Sequence, residues 1–182
     1  MNAQELLLQR QSTPKLIAPA PSANELTFML NAGMRVPDHG ALTPWFFTVV
    51  ENQGLDKLSQ IFEKAAVEQG ANDVKILKAK GMPYRAPLII VISTQYKSHV
   101  KVPKLEQTVA AGCAVHAMQM AAFSLGFGAM WRTGDFSYNA NVKQALSINE
   151  EEDIVGFLYI GTPEKKLPLK PIKAFEHNVT YL

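Results

Sequence analysis

The chain has a single cysteine, Cys113, so no internal disulfide can brace it, and that usage fits a reducing compartment. Charge of one sign is scarce. The net charge is +2 and no block of five or six like charges occurs, whereas a nucleic-acid surface gathers basic residues on one face. No apolar run reaches the ~18–20 residues of a membrane span. The first ten residues, MNAQELLLQR, hold an acidic side chain and only a short apolar run, so no secretion signal is expected. The expectation is a cytoplasmic protein.

The usual catalytic signatures are missing too. There is no G-x-S-x-G elbow, no G-x-x-x-x-G-K-[ST] phosphate loop and no G-x-G-x-x-G after a strand. Gly126 and Gly128 form a bare GxG at a helix end, the wrong side for a dinucleotide fingerprint. Cys113 and His116 share a helix face and look like half a zinc site. No second pair has ligand spacing, and a structural zinc takes four ligands, so no metal is expected. Glu150, Glu151, Glu152 and Asp153 read most simply as a solvated turn.

What remains is an ordinary core-forming composition. The 182 residues are 47% hydrophobic, enough for one domain over 1–182 that buries roughly 70% of its unfolded surface. Residues 3–10 read as a helix. Ser22 with Glu25 three residues on forms a capping box for a second helix ending near Gly33. WFFTVVE at 45–51 and APLIIVIST at 86–94 read as strands, the latter covered on both faces. Helical spacing recurs over 54–69, with Leu55, Leu58, Ile61, Phe62 and Ala65 on one face, and again in NDVKILKAKG.

The longest helix runs from Pro103 to about Gly126; its middle is apolar all round, so it is expected to be buried. GAMW, a helix near 137–146 and the strand DIVGFLYIGTP follow. Without strict βαβ alternation, the order favours an α+β sandwich around a mixed sheet. The tail LPLKPIKAFEHNVTYL fits either a surface segment or a strap over a partner.

Three clusters stand out against this background. RVPDHGALTPW at 35–45 holds Arg35, His39 and Trp45 among turn residues that need none of them. RQSTPK at 10–15 sets Arg10, Ser12 and Lys15 just beyond a helix. A guanidinium, a hydroxyl and an ammonium suit an anionic, hydroxylated ligand, though cations at a helix C-terminus would look the same. WRTG at 131–134 places an indole and a guanidinium after a strand, where a strand-end arginine is the plain alternative. Together the clusters fit one elongated aromatic ligand bearing a phosphate.

R-x-S near the N-terminus, R-x-P-D-H-x-x-x-x-P-W, AAGCAVHAMQMAAFSLGFGAMWRTG and IVGFLYIGTP, in this order, resemble the nitroreductase family, especially its minimal-length, YdjA-type members. The resemblance implies a three-layer α-β-α sandwich around a mixed, mostly antiparallel sheet, and an FMN-binding homodimer with its flavin sites at the interface. It also implies a ping-pong enzyme that takes hydride from NADH or NADPH onto flavin N5 and reduces nitroaromatics or quinones. By the same resemblance, Arg10, Gln11 and Ser12 meet the phosphate and ribityl end of FMN. Arg35 and His39 contact it from the loop, Trp131, Arg132 and Thr133 line it, and Lys15 is the candidate cation near flavin N1. The flavin carries the chemistry, so no catalytic side chain is assigned. Two departures stand out: Gln11 replaces a second basic residue, and Lys15 lies one position later than the lysine of longer relatives. A flavin carrier or sensor without efficient turnover would use the same residues.

Overall fold

The computed structural model describes all of residues 1–182. Its centre is strand β5 (Ile154–Pro163). Strand β3 (Leu88–Thr94) pairs antiparallel with it from Leu88↔Ile160 onward, and β4 (Gly128–Arg132) pairs antiparallel with its residues 157–161. The same β5 residues therefore bond along both edges. Strand β2 (Trp45–Glu51) lies beyond β3, and the two-residue β1 (Leu16–Ile17) meets the end of β5. All four ladders are antiparallel, so the expected mixed character has no parallel pair within the chain.

Period-two alternation sends the side chains of the buried strands to two separate cores. Leu88, Ile90, Ile92, Leu158 and Ile160 pack against Met29 of α2 (Ala23–Gly33) and Val115 and Met118 of α5 (Lys104–Ser124). Ile89, Val91, Phe157 and Tyr159 face the other way, toward Leu58, Phe62 and Ala65 of α3 (Gln53–Glu68). Helix α4 (Asp73–Gly81) backs α3, and Val142 of the short α7 (Ala140–Ala145) closes this second core. The result is the expected three-layer sandwich. Phe62 is its densest knot: its ring stacks on Phe136 of α6 (Asp135–Tyr138) at 4.3 Å between centroids and meets Phe157 edge-on at 5.3 Å.

Local signals act as their chemistry dictates. Ser22 accepts from the Glu25 N–H while the Glu25 carboxylate accepts from the Ser22 N–H, a complete capping box. Helix α5 ends with Leu125 as its cap and Gly126 at φ +88°, the left-handed residue that frees a helix to turn away. Pro103 is the cap residue before α5 rather than part of its first turn. The helix expected near 137–146 is broken in two at Asn139, whose Oδ1 accepts the Val142 N–H and starts α7 anew.

Two expectations need correction. The acidic stretch 150–153 is not merely solvated. Glu152 accepts from the Thr94 hydroxyl at 2.8 Å and the Tyr96 N–H at 2.9 Å, and Asp153 accepts from the Tyr96 hydroxyl at 2.6 Å. These bonds clasp the end of β3 to the start of β5. Helix α5 is not buried all round either: Leu105 and Val109 are 74% and 58% exposed, and His116 is exposed on the same side. The tail beyond Pro163 is almost wholly exposed, with one 3-10 turn, Glu176–Asn178.

Removing the Phe62 ring deletes both aromatic contacts and leaves a cavity in a core that is closed on every side. Phe62→Ala is expected to cost about 3–5 kcal/mol, read as a lower midpoint in urea denaturation with the slope unchanged.

Candidate functional site

The segment after α1 (Ala3–Gln9) lies beside β4. The Thr13 N–H donates to the Ala129 carbonyl at 2.9 Å. From α5, the buried Gln119 amide reaches both the Ser12 hydroxyl, at 3.5 Å, and the same carbonyl, at 3.4 Å. Arg132 extends a longer contact of 3.5 Å to the Pro14 carbonyl. Two of the three clusters, 10–15 and 131–134, are thus side by side.

Their polar groups are incompletely satisfied. The Nε of Arg132 and the Oε1 of Gln11 are buried with no partner in the chain. Neither Arg132 nor Arg85 forms an ion pair. Burial, and then the nearby Arg85 charge, lowers the pKa of Arg132 from its ordinary value, and its guanidinium sits 5.4 Å from the ring centre of Tyr159. The Tyr159 hydroxyl is pushed up to about 12, mainly by burial. A half-buried guanidinium without a carboxylate has donors to offer to an anion.

The third cluster reaches the site by another route. Val36 and Pro37 of the loop, Val109, Cys113 and His116 of α5, and Trp131 of β4 line one open groove of about 490 Å³. Trp131 is fixed there by its indole N–H, which donates to the Val155 carbonyl at 3.1 Å. It also depends on Gly156: a Cβ at that position would clash with the indole nitrogen. Arg10 approaches the groove from α1. Its charge, second to burial, lowers the pKa of His116.

The loop itself is tightly tied. Thr43 donates its N–H to Asp38 at 2.7 Å, Trp45 is buried with its indole N–H toward the Met34 sulfur at 3.2 Å, and His39 meets Glu106 of α5 at 2.6 Å. Ala41 and Thr43 hold φ of +51° and +48°, a left-handed conformation that costs non-glycine residues about 1 kcal/mol or more each.

The sequence-chosen residues are not all gathered at one point. Ser12, Trp131 and Arg132 lie at the β4 edge, Arg132 on the Tyr159 face and Trp131 on the other, with Thr133 exposed just beyond, while Arg10 lies near His116 of α5. Gln11 also belongs there, but its amide donates to the Pro168 carbonyl of the tail. Lys15 is 77% exposed and pairs with Glu164 at 3.5 Å, away from the groove. Arg35 is exposed, and His39 lies at the start of α5, ten residues and so roughly 15 Å along the axis from His116. A larger cavity of about 650 Å³ separates the end of α5 from the tail, and it touches only Gln11 of the chosen residues. Sequence reasoning gave Gln119, Gly156 and Glu106 no role: Gln119 and Gly156 lie within the quoted stretches 110–134 and 154–163, but only the fold shows what they touch.

The "Nitroreductase family" model matches residues 7–162. A relative from Escherichia coli K12, "Putative NAD(P)H nitroreductase YdjA", is 46% identical over 166 residues, 91% of each chain. Another from Haemophilus influenzae, "Putative NAD(P)H nitroreductase", is 38% identical over 167 residues, again 91% of each. Among solved structures, a nitroreductase-like family protein from Bacillus cereus superposes with a TM-score of 0.84 at 20% identity, covering 100% of this chain and 96% of that one. A nitroreductase from Bacteroides fragilis, with bound FMN, gives 0.75 at 23% identity over the full length of both.

Two substitutions test the geometry. Gly156→Ala should destabilise the fold by about 1–3 kcal/mol through the clash with the indole. In a Trp131→Ala background the same change should cost measurably less, and a double-mutant cycle in urea reads the coupling. Arg10→Gln should raise the pKa of His116 part of the way back, since burial remains, as followed by proton NMR titration. The sign for stability follows from the lowered value: neutral His116 contributes above its unfolded pKa, and that contribution is lost as pH falls through the folded one.

Proposed function

The chain belongs to the nitroreductase family, and from that premise we propose that it binds FMN in the groove beside β4 and works as an NAD(P)H-dependent oxidoreductase. The observation that carries the reading is the 10–15 segment, with its Ser12 hydroxyl, fastened by the Thr13–Ala129 bond to the strand that carries Trp131 into the groove. At the β4 edge, Arg132 Nε, on the Tyr159 face, and Gln11 Oε1 are buried without partners, a donor and an acceptor that suit a phosphate oxygen and a ribityl hydroxyl. When bound, FMN supplies hydride transfer at N5, from NADH or NADPH and then to a nitroaromatic or quinone-like acceptor, in a ping-pong order.

The side chains provide placement and charge. Arg132 and Arg10 offer guanidinium forks to the phosphate, and Ser12, held by Gln119, offers a hydroxyl beside them. Trp131, with Thr133 after it, forms the wall of the groove. Arg35 and His39 close the far end from the loop. Lys15, with its ammonium on Glu164, would have to leave that pair to reach the flavin ring, so it is assigned the weakest role. Gln11 gives no charge to the phosphate, and the affinity should rest on the arginines.

We further propose a homodimer of single-domain subunits with the sites at the interface, working in the cytoplasm. The exposed apolar side of α5 at Leu105 and Val109 adjoins the groove, and the tail presents Leu169, Ile172 and Phe175 to solvent. Both are surfaces that a second copy would cover. No helix is long and apolar enough to cross a membrane.

Purified protein supplied with FMN should show bound flavin absorbance that NADH or NADPH bleaches without oxygen, and should sediment at twice the 20.1 kDa chain mass. Arg132→Ala and Arg10→Ala should each raise the FMN Kd about 10–100-fold, the loss of a charge-assisted bond, measured by calorimetry. Protein that takes up no FMN, or a flavin-loaded monomer, would refute the respective claim.

A further inference from the structure

His39 is the one loop residue of the proposed flavin site with a firm tie to another element. Its Nδ1 lies 2.6 Å from Oε2 of Glu106, 67 residues away in the first turn of α5. An ionised carboxylate can only accept, so Nδ1 carries the proton in this contact and donates it. Nε2 makes no hydrogen bond within the chain. In the neutral ring that nitrogen is then an acceptor with its lone pair free.

The surroundings leave Glu106 alone in this part. Asp38, the neighbouring acid, accepts the Thr43 N–H at 2.7 Å. Lys104 on α5 is committed to Glu151 at 2.8 Å. The 3-10 turn His39–Ala41 packs against Val102 just before α5, where a Cβ on Gly40 would come within 3.4 Å of the valine. The loop is thus seated on α5 by packing, while the direction of the imidazole is set by one carboxylate. In solvent such a pair adds little to stability; its value is to choose which nitrogen faces outward.

We propose that Glu106 is a positioning residue of the flavin site: by accepting the Nδ1 proton of His39, it fixes the ring so that Nε2 is offered to a hydroxyl or N–H donor of the cofactor. This rests on the FMN reading above. The role resembles that of the carboxylates that hold a metal-ligating or catalytic imidazole in one tautomer, and it gives the 35–45 loop a second anchor point outside its own sequence.

The test separates the two layers. In flavin-free protein at about pH 8.5, well above the ordinary imidazole range, long-range proton–nitrogen NMR of His39 should show Nδ1 protonated in the wild type. In Glu106→Ala the proton should move predominantly to Nε2, with an unchanged thermal midpoint. Calorimetry should then give an FMN Kd raised about tenfold in Glu106→Ala, and no further loss when Glu106→Ala is added to His39→Ala. An unchanged tautomer, an unchanged Kd, or additive losses in the double variant would each overturn the positioning role while the flavin reading stands. Wild-type protein that takes up no FMN would overturn the flavin reading beneath it.

Discussion

Everything in this molecule hangs on β5 being bonded along both edges at once. The register Leu88↔Ile160 on one side and Ala129↔Ile160 on the other makes it the strand from which both cores are built. Each of its residues from Phe157 to Ile160 is buried, and alternate ones feed opposite layers. A one-residue slip would exchange the two faces and put Phe157 where Leu158 belongs. The clasp of Glu152 and Asp153 onto Thr94 and Tyr96 works against such a slip at the end where β5 begins. The groove inherits that precision, because Trp131 hangs from β4 and donates to the backbone of β5 itself.

Much of this fold was legible in the sequence because its signals are local. Ser22 and Glu25 announce a helix start that only three residues decide, and WFFTVVE becomes β2 with the bounds its composition suggests. APLIIVIST is apolar without alternation, and the strand it forms is buried on both faces, as such a run requires. Where the reading failed, the deciding partner was remote. Nothing near residues 150–153 says that Tyr96 and Thr94 will come to meet them. The all-round apolarity of α5 suggests burial, yet the side bearing Leu105 and Val109 is largely exposed.

The site was legible in the same uneven way. Sequence picked out Arg10, Ser12, Trp131 and Arg132; the fold sets Ser12, Trp131 and Arg132 along β4, where the Thr13–Ala129 backbone bond fastens the flanking segment, and Arg10 near His116 of α5. It did not find Gln119, Gly156 or Glu106. Each acts through a contact between segments tens of residues apart, and each is an unremarkable residue where it stands. Lys15 illustrates the converse: a plausible cation by type, but the fold turns it toward Glu164. Residue identity proposes roles; the packing of α5 against the sheet decides among them.

The placement of the two tryptophans has one more consequence. Trp45 is buried, its indole N–H against a methionine sulfur, while Trp131 is half-exposed in the groove with its N–H on a carbonyl. Their environments differ in polarity and in contact with quenching groups. The chain therefore carries two unlike intrinsic emitters, one reporting on the folded loop and the other on whatever occupies the groove. Ligand entry can be followed in the unlabelled protein as a change in its ultraviolet emission.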